Sequence, residues 1–446
     1  MEKQKEAASD RATRQKFGSA FGIAMSFIGV AVGLGNVWRF PYMAAAFGGG
    51  AFLIVYFLLL SVFGIPALMA ELTLGRMTRR GPLGAFTQIA MRGGKFVGWL
   101  LFFTVFMATS YYSVVVGWVL KYFFISLNGK ISHIQPAPFF DAVLGGFWGQ
   151  FQTTAVVIFL AMVVLYWGIK RGVEKVSKWA IPLLFLIFLI LMVRTLSTPG
   201  AAEGLKFYLW PDFSKIDFSV TAAALGQVFF SLSLGGTFLL TYASYLPDHS
   251  NIKLNAISTG LGDGLAAVFA GLVIVPAAFT FGLELDSGPS LTFIIVPSIF
   301  NNLSGGVVFA ALFFALLFIA AFLSNVAAFE VLITTLVDEL NWTRKKAILL
   351  LGAVELALAT VSMNSLDFLL KNDLIWGSTM QPIGSALVLL GLTYMVGLRK
   401  TLLEANKGNS GTPLGRFWFY WSKYVIPVGI AVILALGLKD VFHTFF

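Results

Sequence analysis

The sequence predicts an all-α membrane protein with about eleven spanning helices, and three observations predict it. Apolar residues make up 58% of the 446-residue chain and charged residues only 12%, too few to cover a water-soluble surface; the mean hydropathy is +0.85. Apolar stretches of about 20 residues, the length that crosses a hydrocarbon core, recur along the whole chain. Lysine and arginine collect in alternate loops.

Taken in order, residues 1–16 are polar and charged and lead into a long apolar run with no small-residue cleavage site. They read as a cytoplasmic tail, not a secretory signal. Spans are predicted near 17–44, 51–75, 97–126, 153–170 and 179–197, which form a first five-helix half over 17–197. An external loop, 198–218, follows. Spans near 219–246, 254–283, 306–338, 346–363 and 373–397 form a second half over 219–397. The remainder, 398–446, holds an eleventh span near 418–440 and the C-terminus. Loops 127–152 and 198–218 are long enough to form external caps, and 285–303 reads as a re-entrant hairpin.

One set of loops carries Arg76, Arg79, Arg80, Arg92 and Lys95, then Lys170, Arg171, Lys175 and Lys178. The same set continues with Arg344, Lys345 and Lys346, then Arg399, Lys400, Lys407 and Arg416. The alternate loops hold little more than Lys130, Lys206, Lys215 and Lys371. By the positive-inside rule the N-terminus is cytoplasmic, and an odd number of spans places the C-terminus outside. The net charge of +10 therefore marks cytoplasmic loops, not a nucleic-acid surface. With no cysteine there is no disulfide framework, and the three histidines, His133, His249 and His443, fall in loops or the tail, which argues against a histidine metal centre.

Two spans carry glycine clusters: Gly29-Val30-Ala31-Val32-Gly33-Leu34-Gly35-Asn36 in the first, and Ser231-Leu232-Ser233-Leu234-Gly235-Gly236 in the sixth. Glycine costs about 1 kcal/mol relative to alanine inside a helix, so each cluster suggests an unwound segment. Small residues also line helix interfaces, so a single cluster is ambiguous. Two of them, each in the first helix of a five-helix half, point to a binding site at the membrane midplane. Unwinding frees carbonyls for a cation and presents half-helix N–H groups to an anion.

The run Gly33-Leu34-Gly35-Asn36-Val37-Trp38-Arg39-Phe40-Pro41-Tyr42 resembles the signature of the neurotransmitter:sodium symporter family. So do Gly48-Gly49-Gly50-Ala51-Phe52-Leu53, Gly64-Ile65-Pro66 with Glu71 and Gly75-Arg76, and Tyr111-Tyr112-Ser113. Phe229-Phe230-Ser231-Leu232-Ser233-Leu234-Gly235 and Thr241-Tyr242-Ala243-Ser244-Tyr245 extend the match to the sixth span. The resemblance covers nearly the whole chain. It implies the leucine-transporter fold: an inverted five-helix repeat whose first and sixth helices are unwound mid-membrane. It also implies sodium-coupled symport of a small amino acid by alternating access, in a bacterial inner membrane, by a monomer or weak homodimer.

The same resemblance implies residue roles. A first sodium would sit on the Ala31 carbonyl, Asn36 and Ser231, with Asp263 supplying charge nearby and the substrate carboxylate as a further ligand. The substrate would also meet Tyr112 and the amides from Gly33 to Gly35, while its amine would meet Ala31, Phe230, Ser231 and Ser233. Ser324 would border the same pocket, and Phe230 would act as an aromatic lid. Gly33 stands where monoamine carriers have an aspartate, which favours a substrate that brings its own carboxylate. Arg39 with Asp373, supported by Gln227, would form the outer gate; Arg14 with Asp338, near Tyr245 and Ser244, the inner one.

Three departures from the family pattern carry information. The hydroxyl pair of a second sodium site is replaced by Leu323-Ser324. One side-chain ligand is lost there, so that site is left open, with Ser324 and the carbonyls of Gly29, Val32 and Ala320 as its remaining oxygens. Asp263 is an acid within a span, a functional position by default, and it implies transport without chloride. The alternative is a buried acid satisfied by neighbouring hydroxyls. Finally, Gly236, Ala108 and Ala328 are small where relatives are larger, which predicts an open pocket wall and a bulky apolar or aromatic substrate. Glu71 matches a structural acid and reads as a helix-pinning group.

Two rival readings come from other classes. Gly260-Leu261-Gly262-Asp263 and Pro66-Ala67-Leu68 spell motifs of intramembrane aspartyl proteases. That chemistry needs a second aspartate, one acting as base while the other is protonated; the Tyr-Asp pair that supplies it is absent and the motif order is reversed. A non-transporting amino-acid sensor on the same fold is distinguished by flux.

Overall fold

The computed structural model describes residues 15–285 and 290–445, with side chains described as far as residue 437. Among these the chain is almost wholly helical. Nine helices are long and apolar enough to cross a membrane, and one bent pair passes the same test together. The pair is α1 (Ala20–Ala31) and α2 (Gly35–Ala46), which meet at 55°. Then follow α3 (Gly50–Thr78), α4 (Gly94–Leu127), α5 (Phe147–Tyr166) and α6 (Ile169–Leu196).

The second broken segment is α7 (Phe218–Ser231) and α8 (Phe238–Ala243). It is followed by α9 (Ile252–Phe281), α10 (Gly306–Leu340), α11 (Arg344–Asn364), α12 (Leu366–Val396) and α13 (Arg416–Gly437). The expected spans fall on these helices and the two breaks; most ends agree within a few residues, but α6 begins at Ile169 where its span was expected from 179 and α12 at Leu366 where 373 was expected, so the basic stretch 170–178 lies within α6 and not in a loop. The two long loops expected as caps carry short helices of their own, Pro136–Gly145 and Ala201–Leu209. The described part of the stretch expected as a re-entrant or hairpin loop is helical from Leu291 to Asn301.

Local chemistry explains where the helices bend. Pro66 has no N–H to give the carbonyl of Val62, and α3 widens into a π-helical turn over Leu60–Gly64 just before it. The freed Val62 carbonyl accepts the Trp421 indole N–H at 2.8 Å, and the Pro66 carbonyl accepts that of Trp418 at 3.2 Å. In hydrocarbon an unpaired backbone group costs several kcal/mol, so these two indoles tie α13 to α3 at the kink.

The breaks are held from outside. Between α7 and α8, Ser233, Gly235 and Thr237 all have positive φ, at 51°, 82° and 59°. Gly235 is needed twice over: for that φ, and because a Cβ would collide with the Gln381 carbonyl of α12. The buried Glu71 carboxylate of α3 accepts the amides of Gly235 at 3.2 Å and Leu240 at 3.3 Å. It caps the start of α8 across the break, which is the pinning role expected of it.

One end of the bundle is sealed. Phe17 packs on Phe27 and Tyr242, with ring centroids 6.0 Å from each. The Phe17 amide donates to the Tyr245 carbonyl at 3.2 Å, and the Tyr245 hydroxyl donates to Glu330 at 2.7 Å. Arg344 grips Glu330 with two hydrogen bonds, of 3.0 and 2.5 Å. This seal lies at the end that carries the arginine- and lysine-rich loops.

Candidate substrate and ion site

The two helix breaks face each other across a cavity of about 350 Å³. Its lining includes Ala31, Gly33 and Gly35 of the first break and Phe230, Ser231 and Ser233 of the second. Ala108 and Tyr112 of α4 and Ser324 and Ala328 of α10 close the sides. All ten were expected at the substrate site from sequence. The cavity runs past Trp38, Arg39 and Tyr42 to Asp373 and the exposed Leu370, away from the sealed end.

At Gly33 a Cβ would lie 2.9 Å from the Ser324 hydroxyl and 3.3 Å from the Tyr112 hydroxyl, so any side chain there must displace these two groups. At Gly35 a Cβ would touch the Phe230 ring at 3.0 Å. The α1–α2 break thus presents bare backbone to the cavity between two hydroxyls and an aromatic ring.

Behind this wall lies a buried oxygen cluster. The Asn36 side-chain N–H₂ donates to Asp263 Oδ1 at 2.7 Å, to the Asp263 carbonyl at 3.0 Å and to Ser231 Oγ at 3.1 Å. Ser231 Oγ donates to Asp263 Oδ1 at 2.9 Å, and Tyr56 Oη donates to Asp263 Oδ2 at 3.2 Å. Asn36 Oδ1 accepts the Gly33 amide at 2.9 Å. Asp263 therefore joins both broken helices to α3 and α9. The Asp263 carboxylate, its backbone carbonyl and the Ser231 hydroxyl gather hard oxygens, the kind that suit a hard cation, around the Asn36 N–H₂ group. Tyr56 was missed from sequence, since a tyrosine inside an apolar run carries no motif.

The second predicted ion position is built differently. Ser324 Oγ lies 3.2 Å from the Val30 carbonyl, 3.3 Å from that of Val32 and 3.3 Å from that of Ala320. Val30 joins the expected carbonyls. Leu323 packs on the Gly29 backbone, where a Cβ would meet its Cδ1 at 2.9 Å. The position of the absent hydroxyl is thus filled by a buried apolar side chain.

The gate residues divide. Arg39 and Asp373 both line the cavity, yet they form no ion pair within 4 Å. The Arg39 guanidinium sits 4.5 Å from the centre of the Phe230 ring, and Asp373 accepts the Tyr111 hydroxyl at 2.9 Å. Gln227 donates to the Gly35 carbonyl at 3.2 Å. Arg14 lies outside the described residues. Its expected partner Asp338 accepts the Gly81 amide at 3.1 Å, and the Tyr245 hydroxyl donates to Glu330 at 2.7 Å.

One expected residue is corrected. Gly236 does not line the cavity, because the ring of Phe238 covers it. The absence of a side chain at 236 therefore does not by itself open the wall. The protease motif is also absorbed by packing: Gly260 lies against Ile65 and Gly262 against Ile28, and Asp263 is paired with an amide and two hydroxyls, not with a second carboxylate.

The sequence profile of the sodium:neurotransmitter symporter family matches residues 14–137 and 147–444. The chain belongs to the sodium:neurotransmitter symporter family. Among its relatives, an uncharacterised sodium-dependent transporter of Bacillus subtilis, YhdH, is 33% identical over 434 residues, covering 94% of this chain and 96% of that one. An uncharacterised sodium-dependent transporter of Haemophilus influenzae is 34% identical over 452 residues, covering 95% and 98%. A crystal structure of MhsT in complex with L-phenylalanine superposes with a TM-score of 0.84 at 30% identity, covering 97% of this chain and 100% of MhsT. The symporter thus has the leucine-transporter fold expected from its sequence. It is a sodium-coupled transporter and not an enzyme, so the protease reading falls.

Proposed function

We propose that this symporter carries a bulky apolar or aromatic amino acid inward with sodium, by alternating access. The observation that carries the reading is the juxtaposition at the two breaks. The backbone of Gly33–Gly35 and the Tyr112 hydroxyl line one cavity with Ala31 and Ser231, backed by Asn36 and Asp263. An amino acid placed there sets its carboxylate toward the amides and the ion, and its ammonium toward the carbonyls around Ala31 and Phe230. L-phenylalanine, the molecule held in the MhsT complex, belongs to this class.

Sodium is cargo in this scheme. Its first position is the Ala31, Asn36 and Ser231 oxygens beside Asp263. That carboxyl supplies negative charge beside the ion, so no chloride is required. The second position has Ser324 and carbonyls only, and one fully formed sodium site is the expected stoichiometry. Arg39 and Asp373 approach one another when the outer path closes over Phe230. The Arg344–Glu330 and Tyr245 contacts must loosen when the inner path opens. The N-terminus and the basic loops face the cytoplasm, and residues 17–197 and 219–397 are the two inverted halves that rock about the site.

Thermal shift of the purified chain with each of the twenty amino acids, in sodium or in potassium, tests this. A ligand that binds the folded state raises apparent stability by mass action. Stabilisation by phenylalanine, tryptophan or leucine in sodium alone is expected, unchanged when chloride is replaced by gluconate. Preference for glycine or alanine, or an equal response in potassium, refutes the reading. Sodium-driven uptake into vesicles beyond one substrate per protein separates transport from sensing.

A further inference from the structure

The recess at Gly236 singles out a neighbour that no family motif includes. A Cβ built on Gly236 would lie 2.5 Å from Cε2, 2.9 Å from Cδ2 and 3.1 Å from Cζ of Phe238. Real side chains do not approach that closely, so the edge of the Phe238 ring occupies the volume a side chain at 236 would fill. The ring is half-buried and also lines the cavity. Gly236 itself has an ordinary φ, so its backbone would accept any residue; what excludes a side chain there is the ring.

The backbone that carries the ring is held in place. Phe238 is the first residue of α8, and Glu71 holds α8 through the Leu240 amide. Thr237, just before it, is fixed in the left-handed region at φ 59° and ψ 10°, an uncommon place for a β-branched residue. The direction in which the Phe238 side chain leaves the backbone is thereby set by the break.

We propose that Phe238, lodged in the recess left by Gly236, determines the size of side chain the symporter accepts. This rests on the amino-acid reading above. With the ring in the recess, the space between Ala108, Ala328 and Phe230 stays clear for a bulky apolar side chain, and the ring offers it an apolar face. A methyl at 236 drives the ring out of the recess and into the cavity, where it takes the place of the substrate side chain. Gly236 thus widens the site indirectly, by housing an aromatic ring.

The test is sodium-dependent binding of tryptophan, phenylalanine, leucine and alanine to the purified full-length chain by calorimetric titration. Gly236→Ala is expected to weaken tryptophan and phenylalanine at least about tenfold while alanine changes by less than about threefold, the scale on which pockets discriminate by size. Phe238→Ala is expected to raise the tryptophan-to-leucine affinity ratio about tenfold, and the double variant to recover the tryptophan binding lost in Gly236→Ala. Uniform weakening of all four ligands, or a double variant as weak for tryptophan as Gly236→Ala, overturns the proposal. If Gly236→Ala does not fold, an unchanged tryptophan-to-leucine ratio in Phe238→Ala overturns it alone. Failure of the wild-type chain to bind any of the four in sodium would instead remove the amino-acid reading on which the proposal stands.

Discussion

Asp263 shows how much a single side chain is asked to do in this molecule. It is fully buried and receives hydrogen bonds from Asn36, Ser231 and Tyr56. A buried acid satisfied by neighbouring hydroxyls was the bland alternative, and the hydroxyls are indeed there. Both readings share this geometry, and their difference is the charge. Asp263→Asn keeps the shape but removes the negative charge from the ion cluster. A charge-assisted contact is worth about 1.5–3 kcal/mol, so sodium affinity should fall roughly tenfold to a hundredfold. Sodium titration of ligand-dependent stabilisation measures this, and an unchanged midpoint would return Asp263 to a purely structural role. Tyr56→Phe removes only one hydrogen bond and should cost about 1 kcal/mol of stability with a smaller effect on sodium.

At the scale of elements, the breaks are maintained by partners on unbroken helices. Glu71 of α3 supplies the acceptors that the start of α8 lacks. Glu71→Ala leaves two buried amides without acceptors, at about 1–3 kcal/mol each. The thermal midpoint should drop by several degrees, about 2–4 °C per kcal/mol in a domain of this size or somewhat less. Glu71→Gln retains a carbonyl acceptor and should lose less; equal losses from the two variants would show that the acceptor geometry is irrelevant. Trp421 answers the carbonyl that Pro66 leaves unpaired, so Trp421→Phe should cost about 1–2 kcal/mol without altering ligand preference. A changed preference would mean that α13 bears on the site.

Over the whole molecule, the cavity is accessible from one end and sealed at the other. The seal joins α1, α8, α10 and α11 through Phe17, Tyr242, Tyr245, Glu330 and Arg344. Arg344→Ala leaves Glu330 buried without its ion partner, a loss of about 3–5 kcal/mol for the sealed arrangement. The population should shift toward inner opening. The chain contains no cysteine, so a single cysteine at the buried Ala243 reports this directly. Its labelling rate from the inner side should rise several-fold in Arg344→Ala and fall again with sodium and substrate. No change in rate would place the seal elsewhere.

The membrane class, the apolar spans and the two glycine-rich break positions were legible from residue order alone, for a physical reason. Lipid demands long apolar segments, and a helix break demands glycine, so both constraints are written locally in the chain. Ala31, Gly33, Tyr112, Phe230, Ser231, Ser324 and Ala328, which the family resemblance and not local physics singled out, all line one cavity. What could not be read locally were contacts between segments far apart in the chain. Tyr56 reaches Asp263 across 207 residues and Trp421 answers a carbonyl 359 residues away; even over 14 residues, Arg344 meets Glu330 only because α10 and α11 fold back on each other. Gly236 is the sharpest case. Its missing side chain is visible in the sequence, but whether that leaves space depends on where the Phe238 ring turns, and only the packed break decides it.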